Sequence, residues 1–342
     1  LIDVGLHFVS PNLRLIKMSW TDYHGKLHKT LRQRQLIPKQ SRLLLAVSGG
    51  QDSLCLLKLF WDLQPKWGWD LAVAHCDHRW SIDAGMADHV ERVVEKWGIR
   101  FYRITADTPV AETEASARSW RYQVLRDCCQ ANHYHYLVTG HTRTDRAETL
   151  FYNLIRGSGS DGLQALTWQR PLTETITLVR PLLNFSRAET QQFCEQFELP
   201  IWKDIANDNL NYARNRLRKQ IFPQLKEYFN PQVETALSQT AEILETETAY
   251  LQQLATELYE TAYHSQQSLY RNPLKTAPVA LQRRVMRLFW RTYFNENHAP
   301  NFEQIEELTH LIPAPNRSQT SSFPQNIHAV VASDLIIFQS LS

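Results

Sequence analysis

Short apolar runs alternate with longer amphipathic segments along roughly the first 200 residues of the chain. The first run, Leu43–Val47, is apolar throughout and precedes a glycine pair, which is typical of a buried parallel strand. Strands that alternate with helices of about 10–20 residues predict an α/β fold, with a doubly wound, mostly parallel sheet covered on both faces. The remaining predicted strands are Leu71–His75, Phe101–Ile104, Tyr136–Thr139 and Thr175–Val179, and the predicted helices are Leu54–Leu63, Ala84–Trp97, Glu112–His133, Arg146–Ile155 and Arg187–Phe197.

After about residue 207 the pattern changes, and apolar residues recur at helical spacing over longer stretches with polar faces. This pattern predicts a smaller, mainly helical domain that ends in a pair of strands. The predicted helical stretches are Arg214–Tyr228, Val233–Tyr263, Val279–Tyr293 and Asn301–Leu311, and the strand pair lies within Ile327–Phe338.

The first residues of the chain stand apart from both patterns. The chain opens on Leu1, and Met18 precedes the polar stretch that leads to the first strand. We therefore expect residues 1–17 to lie upstream of the natural start. The expected divisions are this upstream segment, an α/β domain over residues 18–210, linking helices over 211–250 and a helical domain over 251–342.

Composition excludes several classes of protein. The 37 Lys and Arg residues nearly balance 35 Asp and Glu residues, so a formal net charge of +2 provides neither a basic arm nor an acidic tail. The five cysteines form no C-x-x-C pair, which favours reduced thiols and a cytoplasmic location over a disulfide framework or a zinc ribbon. No apolar run approaches the ~18 residues of a membrane helix, so no membrane partner is expected. All 11 glycines precede residue 163, which directs attention to the first domain for ligand binding.

The segment Ser48-Gly49-Gly50-Gln51-Asp52-Ser53 follows the first predicted strand and opens the next helix. Two glycines allow backbone N–H groups to converge, and the helix N-terminus favours an anion, so the segment predicts a phosphate-binding loop. The Walker pattern G-x-x-x-x-G-K-[ST] is absent, which argues against an ordinary kinase or GTPase loop. A Gly-Gly turn with a capping serine and no ligand is the structural alternative. The run Gly157–Gly162 matches G-x-G-x-x-G, but it follows a predicted helix and not a strand, which excludes a dinucleotide site.

The S-G-G-x-D-S pattern resembles the pyrophosphate-binding loop of the PP-loop ATP pyrophosphatase superfamily at every fixed position. Within that superfamily, Thr139–Gly159 resembles the T-G-H-x-x-x-D-x-x-E-T … R-G-S-G signature of the tRNA(Ile)-lysidine synthetase family. The resemblance covers residues 40–235 well and the helical domain loosely. One departure is Asp77-His78-Arg79, which lacks the glycine and leucine that the family has between histidine and arginine. Three further matching segments are Glu114–Tyr122, Arg180–Leu183 and Asn207–Pro223.

The resemblance implies an ATP-dependent ligase that works in two steps. ATP adenylates the C2 oxygen of the wobble cytidine in an isoleucine tRNA with a CAU anticodon. The amine of free lysine then attacks C2 and expels AMP, which leaves lysidine and changes codon reading from AUG to AUA. Such an enzyme mainly positions reactants and neutralises phosphate charge. The implied reactants are ATP, free L-lysine and this tRNA, with Mg²⁺ as the cofactor.

The implied roles fall on two motifs. Asp52 is expected to order Mg²⁺ or to face the reacting centre, and an acid favoured by the helix dipole is the alternative. His141, Asp145 and Glu148 are spaced to share one helix face, where the carboxylates would bind the lysine ammonium or a metal, or take its proton. A solvated polar face is the alternative, and a zinc site lacks a third ligand. The ATP-binding set is Ser48, Gly49, Gly50, Gln51, Asp52 and Ser53, and the catalytic set is Asp52, His141, Asp145, Glu148 and Arg156.

Positive charges complete the expected site. Arg156 is expected to neutralise the α-phosphate, with an ordinary helix C-terminal cation as the alternative. A basic stretch is expected to bind tRNA phosphates, extended by Lys203 and an arginine-rich helix around Arg284. The predicted tRNA-binding residues are Arg214, Arg216, Arg218 and Lys219.

Two alternative functions stay open at this point, and nothing in the sequence specifies an oligomeric state. A PP-loop tRNA thiolase, such as a 2-thiocytidine synthetase, usually needs paired cysteines that this chain lacks. A non-catalytic nucleotide-binding module would bind ATP without releasing AMP or diphosphate.

Overall fold

The structure, a computed structural model, describes residues 20–202, 210–294 and 298–340. The chain divides into two units, Leu1–Glu242 and Ile243–Ser342, and the expected divisions at residues 210 and 250 stay predictions. The expected upstream segment, Met18 and Lys203 lie outside the described residues. Across the described residues no helix is long and apolar enough to cross a membrane.

The first unit contains a six-stranded sheet. Its strands are β1 (Arg42–Ala46), β2 (Asp70–Asp77), β3 (Arg100–Thr105), β4 (Tyr136–Thr139), β5 (Gln169–Pro171) and β6 (Thr177–Val179). The strand order is β3-β2-β1-β4-β6-β5, and every neighbouring pair is parallel except the antiparallel β5–β6 pair. Because the order runs outward in both directions from β1, the carboxyl ends of β1 and β4 flank a topological switch point, where open α/β sheets bind ligands.

Helices cover both faces of this sheet. They are α1 (Asp22–Gln33), α2 (Gln51–Trp67), α3 (Met86–Lys96), α4 (Glu114–Ala131), α5 (Arg143–Ile155), α6 (Ser160–Leu163) and α7 (Arg187–Gln196). Side chains alternate across the sheet along β1, so Leu43 and Leu45 pack with Leu56 and Val90 on one face. Leu44 packs with Leu125 of α4 on the other face. Burial on both faces explains why β1 is apolar throughout, and the predicted doubly wound α/β fold is confirmed.

Helix α1 is absent from the sequence prediction. It buries Leu27 and Leu31, but it also buries His24, whose Nε2 atom lies 2.9 Å from Asp62 Oδ2. Lys58 Nζ donates to Asp62 Oδ1 at 2.6 Å, so a buried ion-pair network holds α1 against α2. A polar side chain on the buried face weakens the apolar periodicity that predicts a helix.

The predicted stretch Arg214–Tyr228 is helical throughout but not α-helical throughout. It comprises α8 (Ala213–Arg216), a π-helical turn (Leu217–Ile221) and α9 (Phe222–Tyr228), followed by α10 (Val233–Ala262). The turn directs Leu217 and Phe222 into a small core with Ala147 of α5. Single-turn π segments often occur at functional sites.

The second unit combines helices with a four-stranded sheet. Its remaining elements are β7 (Tyr263–Ser265), β8 (Ser268–Tyr270), α11 (Asn272–Lys275), α12 (Val279–Phe294), α13 (Phe302–His310), β9 (Ile327–Ala332) and β10 (Leu335–Ser340). The sheet order is β7-β8-β10-β9. The predicted helices and terminal strand pair are present, whereas β7 and β8 are too short to give a strand pattern. Arg284 is buried and Arg283 pairs with Glu306 at 2.6 Å, so the arginine-rich helix does not offer all its cations to a partner.

Candidate active site

The phosphate loop, Ser48–Ser53, closes through its own atoms. Gly49 has φ +91°, a left-handed conformation that favours glycine. The Ser53 hydroxyl accepts from the backbone N–H groups of Ser48 and Gly49, both at 3.2 Å, and donates to the Gly50 carbonyl at 2.8 Å. Ser53 therefore shapes the loop from inside, and Gly50 is the N-cap of α2.

Gly140 allows the turn after β4 to approach the phosphate loop. A Cβ atom at this position would lie 2.9 Å from the Asp52 carbonyl oxygen and 3.2 Å from the Ser53 Cα atom. Both contacts are with backbone of α2, which cannot rotate away as a side chain does. Glycine at residue 140 is thus required by the close packing of the turn after β4 against the first turn of α2.

A cavity of about 330 Å³ opens at the switch point. Its size suits a small-molecule ligand. Its walls are the ends of β1 and β2, the phosphate loop, α4, the turn after β4 and the start of α7. The polar side chains that line it are Ser48, Gln51, Asp52, Ser53, His75, His78, Asp83, Arg118, Arg121, Tyr122, Thr139, His141 and Arg187.

Asp52 lies at the cavity with 17 % of its side chain exposed. Its Oδ1 atom accepts from the Thr190 hydroxyl, and its Oδ2 atom lies 3.3 Å from Arg187 Nη1. Burial raises the pKa of the Asp52 carboxyl and the negative charge of Asp145 raises it further, while Arg187 opposes both effects. The predicted loop acid is therefore at the cavity, held by two residues of α7.

His141 is not on a helix, which corrects the predicted helical face. It lies in the turn before α5, whose N-cap is Thr142. His141 Nδ1 lies 2.9 Å from Thr139 Oγ1, within the cavity wall. Burial lowers its pKa to about 3, and Arg180 contributes to the decrease. His141 is therefore neutral near pH 7 and acts as a hydrogen-bonding group.

Asp145, Glu148 and Arg218 form a carboxylate cluster. Arg218 donates from Nε to Glu148 Oε1 at 2.7 Å and from Nη2 to Glu148 Oε2 at 2.8 Å, and its Nη2 lies 3.3 Å from Asp145 Oδ1. Asp145 Oδ2 also accepts from the Thr142 N–H at 2.8 Å. The side chain of Glu148 is 1 % exposed. The two carboxylates that are predicted to bind lysine therefore share the guanidinium of Arg218, a residue that is predicted to bind tRNA.

Burial and the positive charge of Arg218 shift the pKa values of the carboxylates in this cluster. Burial raises the pKa of Glu148, and Arg218 only partly offsets this. Burial by itself also raises the pKa of Asp145, but His141 and Arg218 outweigh it, and the pKa of Asp145 is lowered. The pKa of Arg218 is raised although burial opposes this, because Glu148 accepts its hydrogen bonds. Arg218 is the charge that keeps a buried carboxylate pair compatible with the fold.

The other predicted cations lie elsewhere. Arg156 is exposed at the C-cap of α5, over the Tyr152 ring at 5.3 Å, and is not among the described residues that line the cavity. Arg216 is exposed and donates to the Leu210 carbonyl at 2.8 Å. Lys219 is exposed, and Arg214 is partly exposed. These four residues lie on α5, α8 and the π-helical turn, outside the cavity wall.

Arg187 and Thr190 are functional candidates that the sequence analysis missed. Both contact Asp52, more than 130 residues earlier in the chain. The only local signal is the start of a helix shortly after Arg180–Leu183. Motif spacing gives no reason to connect that helix with the phosphate loop.

The donor set at Asp52 fits Mg²⁺. A carboxylate and the nearby serine hydroxyls are hard oxygen donors, and Mg²⁺ usually completes its shell with substrate phosphates and water. In residues 20–202, 210–294 and 298–340 no group of three or more His, Cys, Asp or Glu side chains is arranged to hold a metal. The zinc alternative for His141 and Asp145 therefore has no ligand set within those ranges.

A strand, an S-G-G-x-D-S loop and a helix at a topological switch point define an ATP-binding PP-loop domain. The sequence matches the PP-loop domain family over residues 21–225. The fold is similar to that of the U34-tRNA thiolase NcsA from Methanococcus maripaludis, with a TM-score of 0.57 and 18% identity over 66% of this chain and 78% of that chain. At this identity the likeness concerns the fold alone.

Proteins of similar sequence indicate which family within the PP-loop class the chain belongs to. A tRNA(Ile)-lysidine synthase from Nostoc is 54% identical over 339 residues, covering 94% of this chain and 98% of the relative. One from Synechocystis is 50% identical, covering 90% and 94%, and a chloroplastic one from Zygnema circumcarinatum is 34% identical, covering 77% and 74%. The chain belongs to the tRNA(Ile)-lysidine synthase family.

Proposed function

We propose that the protein uses ATP to join free lysine to C2 of the wobble cytidine in the CAU-anticodon isoleucine tRNA, forming lysidine and releasing AMP and diphosphate in the cytoplasm. The observation that carries this proposal is the cavity at the phosphate loop, with Asp52 in its wall and the carboxylate cluster nearby. ATP use rests on the PP-loop domain, and the tRNA substrate on family membership.

In the first step, we assign the phosphates of ATP to the loop. Backbone N–H groups at the start of α2, Ser48 and the positive end of the helix favour an anion there. The C2 oxygen of cytidine attacks the α-phosphorus, and the bond from that phosphorus to the bridging oxygen breaks. The electron pair leaves with diphosphate. Mg²⁺ would be held by Asp52 together with phosphate oxygens, and it would neutralise charge that develops on them.

In the second step, the lysine amine attacks C2 and AMP leaves with the electron pair of the C2–O bond. The amine must first lose a proton, and a carboxylate near the cavity is the natural acceptor. We assign this role, and the binding of the lysine ammonium, to Asp145 and Glu148. Because Arg218 pairs with both carboxylates, an incoming ammonium must share them with Arg218 or displace it.

For the tRNA, we assign phosphate contacts to Arg214, Arg216, Arg218 and Lys219. To Arg156, which is exposed and lies outside the cavity wall, we assign the neutralisation of the α-phosphate. Arg216 and Lys219 are exposed, as binding to a polyanion requires. Arg218 is engaged with Glu148 and Asp145, so any phosphate contact by Arg218 would be coupled to lysine binding.

Sulfur transfer is less well supported. A thiolase needs thiolates, and burial raises the pKa of Cys76 to about 12 and that of Cys128 to about 11. Cys55, Cys129 and Cys194 are buried, and all five cysteines are free thiols. Cys76 lines the cavity near Arg121, but burial outweighs the positive charge of Arg121 and keeps the pKa of the Cys76 thiol raised.

The test is incorporation of labelled lysine into an isoleucine tRNA transcript with the CAU anticodon, in the presence of ATP and Mg²⁺. We expect label in the tRNA together with AMP and diphosphate in equal amounts. A transcript that differs only by uridine at the wobble position is the matched control and should remain unlabelled. ATP binding without diphosphate release would favour the nucleotide-binding module, and modification that depends on a sulfur donor would favour the thiolase.

A further inference from the structure

The first turn of α7 holds the first turn of α2. Gln51 Nε2 donates to the Arg187 carbonyl at 2.8 Å and to Thr190 Oγ1 at 3.0 Å. The Asp52 carboxylate then uses one oxygen for each of two α7 side chains, Oδ1 for Thr190 and Oδ2 for Arg187. Gln51 Nε2 also lies 3.4 Å from Asp52 Oδ1, a longer contact, so the orientation of the loop acid is set mainly by α7.

The two contacts differ in how easily they break. Thr190 is fully buried, and its hydroxyl lies within hydrogen-bond distance of Gln51, Asp52 and the Arg187 carbonyl, so its position is fixed on three sides. Arg187 has 32 % of its side chain exposed, lines the cavity, and lies at 3.3 Å, a long hydrogen bond. A solvent-accessible arginine on a long, flexible side chain can change its partner at little cost.

Asp52 Oδ2 is the oxygen for which Arg187 and the proposed Mg²⁺ would compete. A divalent ion on that oxygen and a guanidinium in hydrogen-bonding contact would repel each other at close range. The same cavity holds the loop where the proposed diphosphate leaves, and Arg187 shares its wall with Ser48 and Gly50. An arginine released from Asp52 is thus already beside the place where negative charge develops.

We propose that Arg187 is an exchangeable catalytic cation: it neutralises Asp52 before the nucleotide binds, and it turns to the β- and γ-phosphates once Asp52 Oδ2 is used by Mg²⁺. When the bond from the α-phosphorus to the bridging oxygen breaks, the electron pair moves onto diphosphate, and Arg187 stabilises that charge. Thr190 is a positioning residue that keeps Oδ1 fixed while Oδ2 changes partner. This inference rests on the proposed ATP-dependent reaction.

The test measures two quantities that should change in opposite directions in Arg187→Gln. Binding of Mn²⁺ to the nucleotide-free protein, followed by electron paramagnetic resonance, should tighten by about tenfold because a competing charge is gone. The rate of ATP–diphosphate exchange in the presence of tRNA should fall by about 10²-fold. Arg187→Lys should return both the Mn²⁺ affinity and the exchange rate part of the way to their wild-type values, because lysine has the positive charge but not the planar guanidinium group.

The matched control is Arg143→Gln. Arg143 Nη2 lies 3.7 Å from Glu189 on α7, but Arg143 is not among the described residues of the cavity wall. Neither Mn²⁺ affinity nor exchange rate should change in this variant. Thr190→Val should weaken Mn²⁺ binding, because the Asp52 carboxylate loses the hydroxyl group that fixes the position of its Oδ1 atom.

Damage to the fold would weaken both Mn²⁺ binding and exchange in Arg187→Gln, and that result overturns the inference. Unchanged Mn²⁺ affinity with a reduced exchange rate also overturns it, because no competition for Oδ2 would exist. The proposed function fails separately, if the unmodified protein transfers no lysine. The Mn²⁺ comparison still decides the competition at Asp52 in that case.

Discussion

The phosphate loop and the carboxylate cluster serve one proposed reaction but are built in opposite ways. The loop is closed by hydrogen bonds between residues at most five positions apart, as in the contact of Ser48 N–H with Ser53 Oγ. The carboxylate cluster depends on Arg218, which reaches residues about 70 positions earlier. The bonds inside the loop follow from neighbouring residues, although α7 also anchors Gln51 and Asp52, whereas the cluster is stable only while a distant element supplies the opposite charge.

The largest effect is expected at the functional centre of the loop. Asp52→Asn should lower the rate of lysine incorporation by about 10²–10³-fold, the size expected when one preorganised electrostatic contact is lost. Affinity for tRNA, measured by filter binding, should change little because Asp52 lies inside the cavity. Loss of tRNA affinity would show that the loop and the tRNA surface are not separable.

The carboxylate cluster should break when its cation is removed. Arg218→Gln removes the guanidinium that donates to buried Glu148 and leaves only the weaker influence of Arg214. We expect the free energy of unfolding to fall by about 3 kcal/mol, the lower end for a broken buried pair, because Arg218 is partly exposed and Arg214 remains. Chemical denaturation measures this. Glu148→Gln added to that variant should restore most of the loss. Arg216→Gln, on the exposed neighbouring arginine, is the control and should be nearly neutral.

The stability lost in Arg218→Gln should depend on pH. Without Arg218 the pKa of Glu148 should rise further, so the folded state binds a proton that the unfolded chain releases. Stability is then lost as pH rises above the ordinary glutamate pKa of 4.5. The deficit of Arg218→Gln should be larger near pH ~8 than near pH ~5. An equal deficit at both values would contradict the buried, unpaired carboxylate.

Packing at the junction of the loop and the next strand gives a moderate effect. Gly140→Ala sets a methyl group 2.9 Å from the Asp52 carbonyl oxygen and should cost about 1–3 kcal/mol of stability. Gly159→Ala is the matched control, because nothing lies within 4 Å of its added Cβ and its φ of −72° suits alanine. Urea midpoints of the two variants should therefore differ clearly. Equal midpoints would mean that α2 and the β4 turn can separate without cost.

The smallest effect at neutral pH concerns His141 in the turn before α5, because its contribution to stability changes only below about pH 6.5. His141 is neutral in the fold down to about pH 3, whereas the unfolded chain takes up a proton near pH 6.5. Stability should therefore fall as pH decreases from 6.5 toward 3, by at most about 1.4 kcal/mol per pH unit. His141→Gln should flatten that part of the stability curve, and His135→Gln, at an exposed site, should not. Identical curves for wild type and His141→Gln would contradict the neutral state of His141 in the fold.

The parallel strands of the first unit were predictable because each shows a short-range apolar pattern, whereas the three-residue strand β5 was not predicted. Leu43–Val47 and Tyr136–Thr139 are apolar and end at glycine-containing turns, and the structure has β1 and β4 at those positions. Helix α1 was not predictable, since His24 occupies a buried position and its partner Asp62 is 38 residues away. The β7 and β8 strands have three residues each and obtain their stability from pairing with one another and with β10.

For the candidate site, the sequence alone determined which residues can close a phosphate loop, because Gly49, Gly50 and Ser53 form it within one strand–helix connection. Only the tertiary structure decided how that loop is used. In the structure Arg187 and Thr190 contact Asp52, and Arg218 pairs with Glu148. His141 lies in the turn before α5 and not on the helix, where the sequence predicts it to be. The physical reason is range: hydrogen bonds within a turn follow from neighbouring residues, whereas the partner of a buried charge is fixed by how distant helices pack.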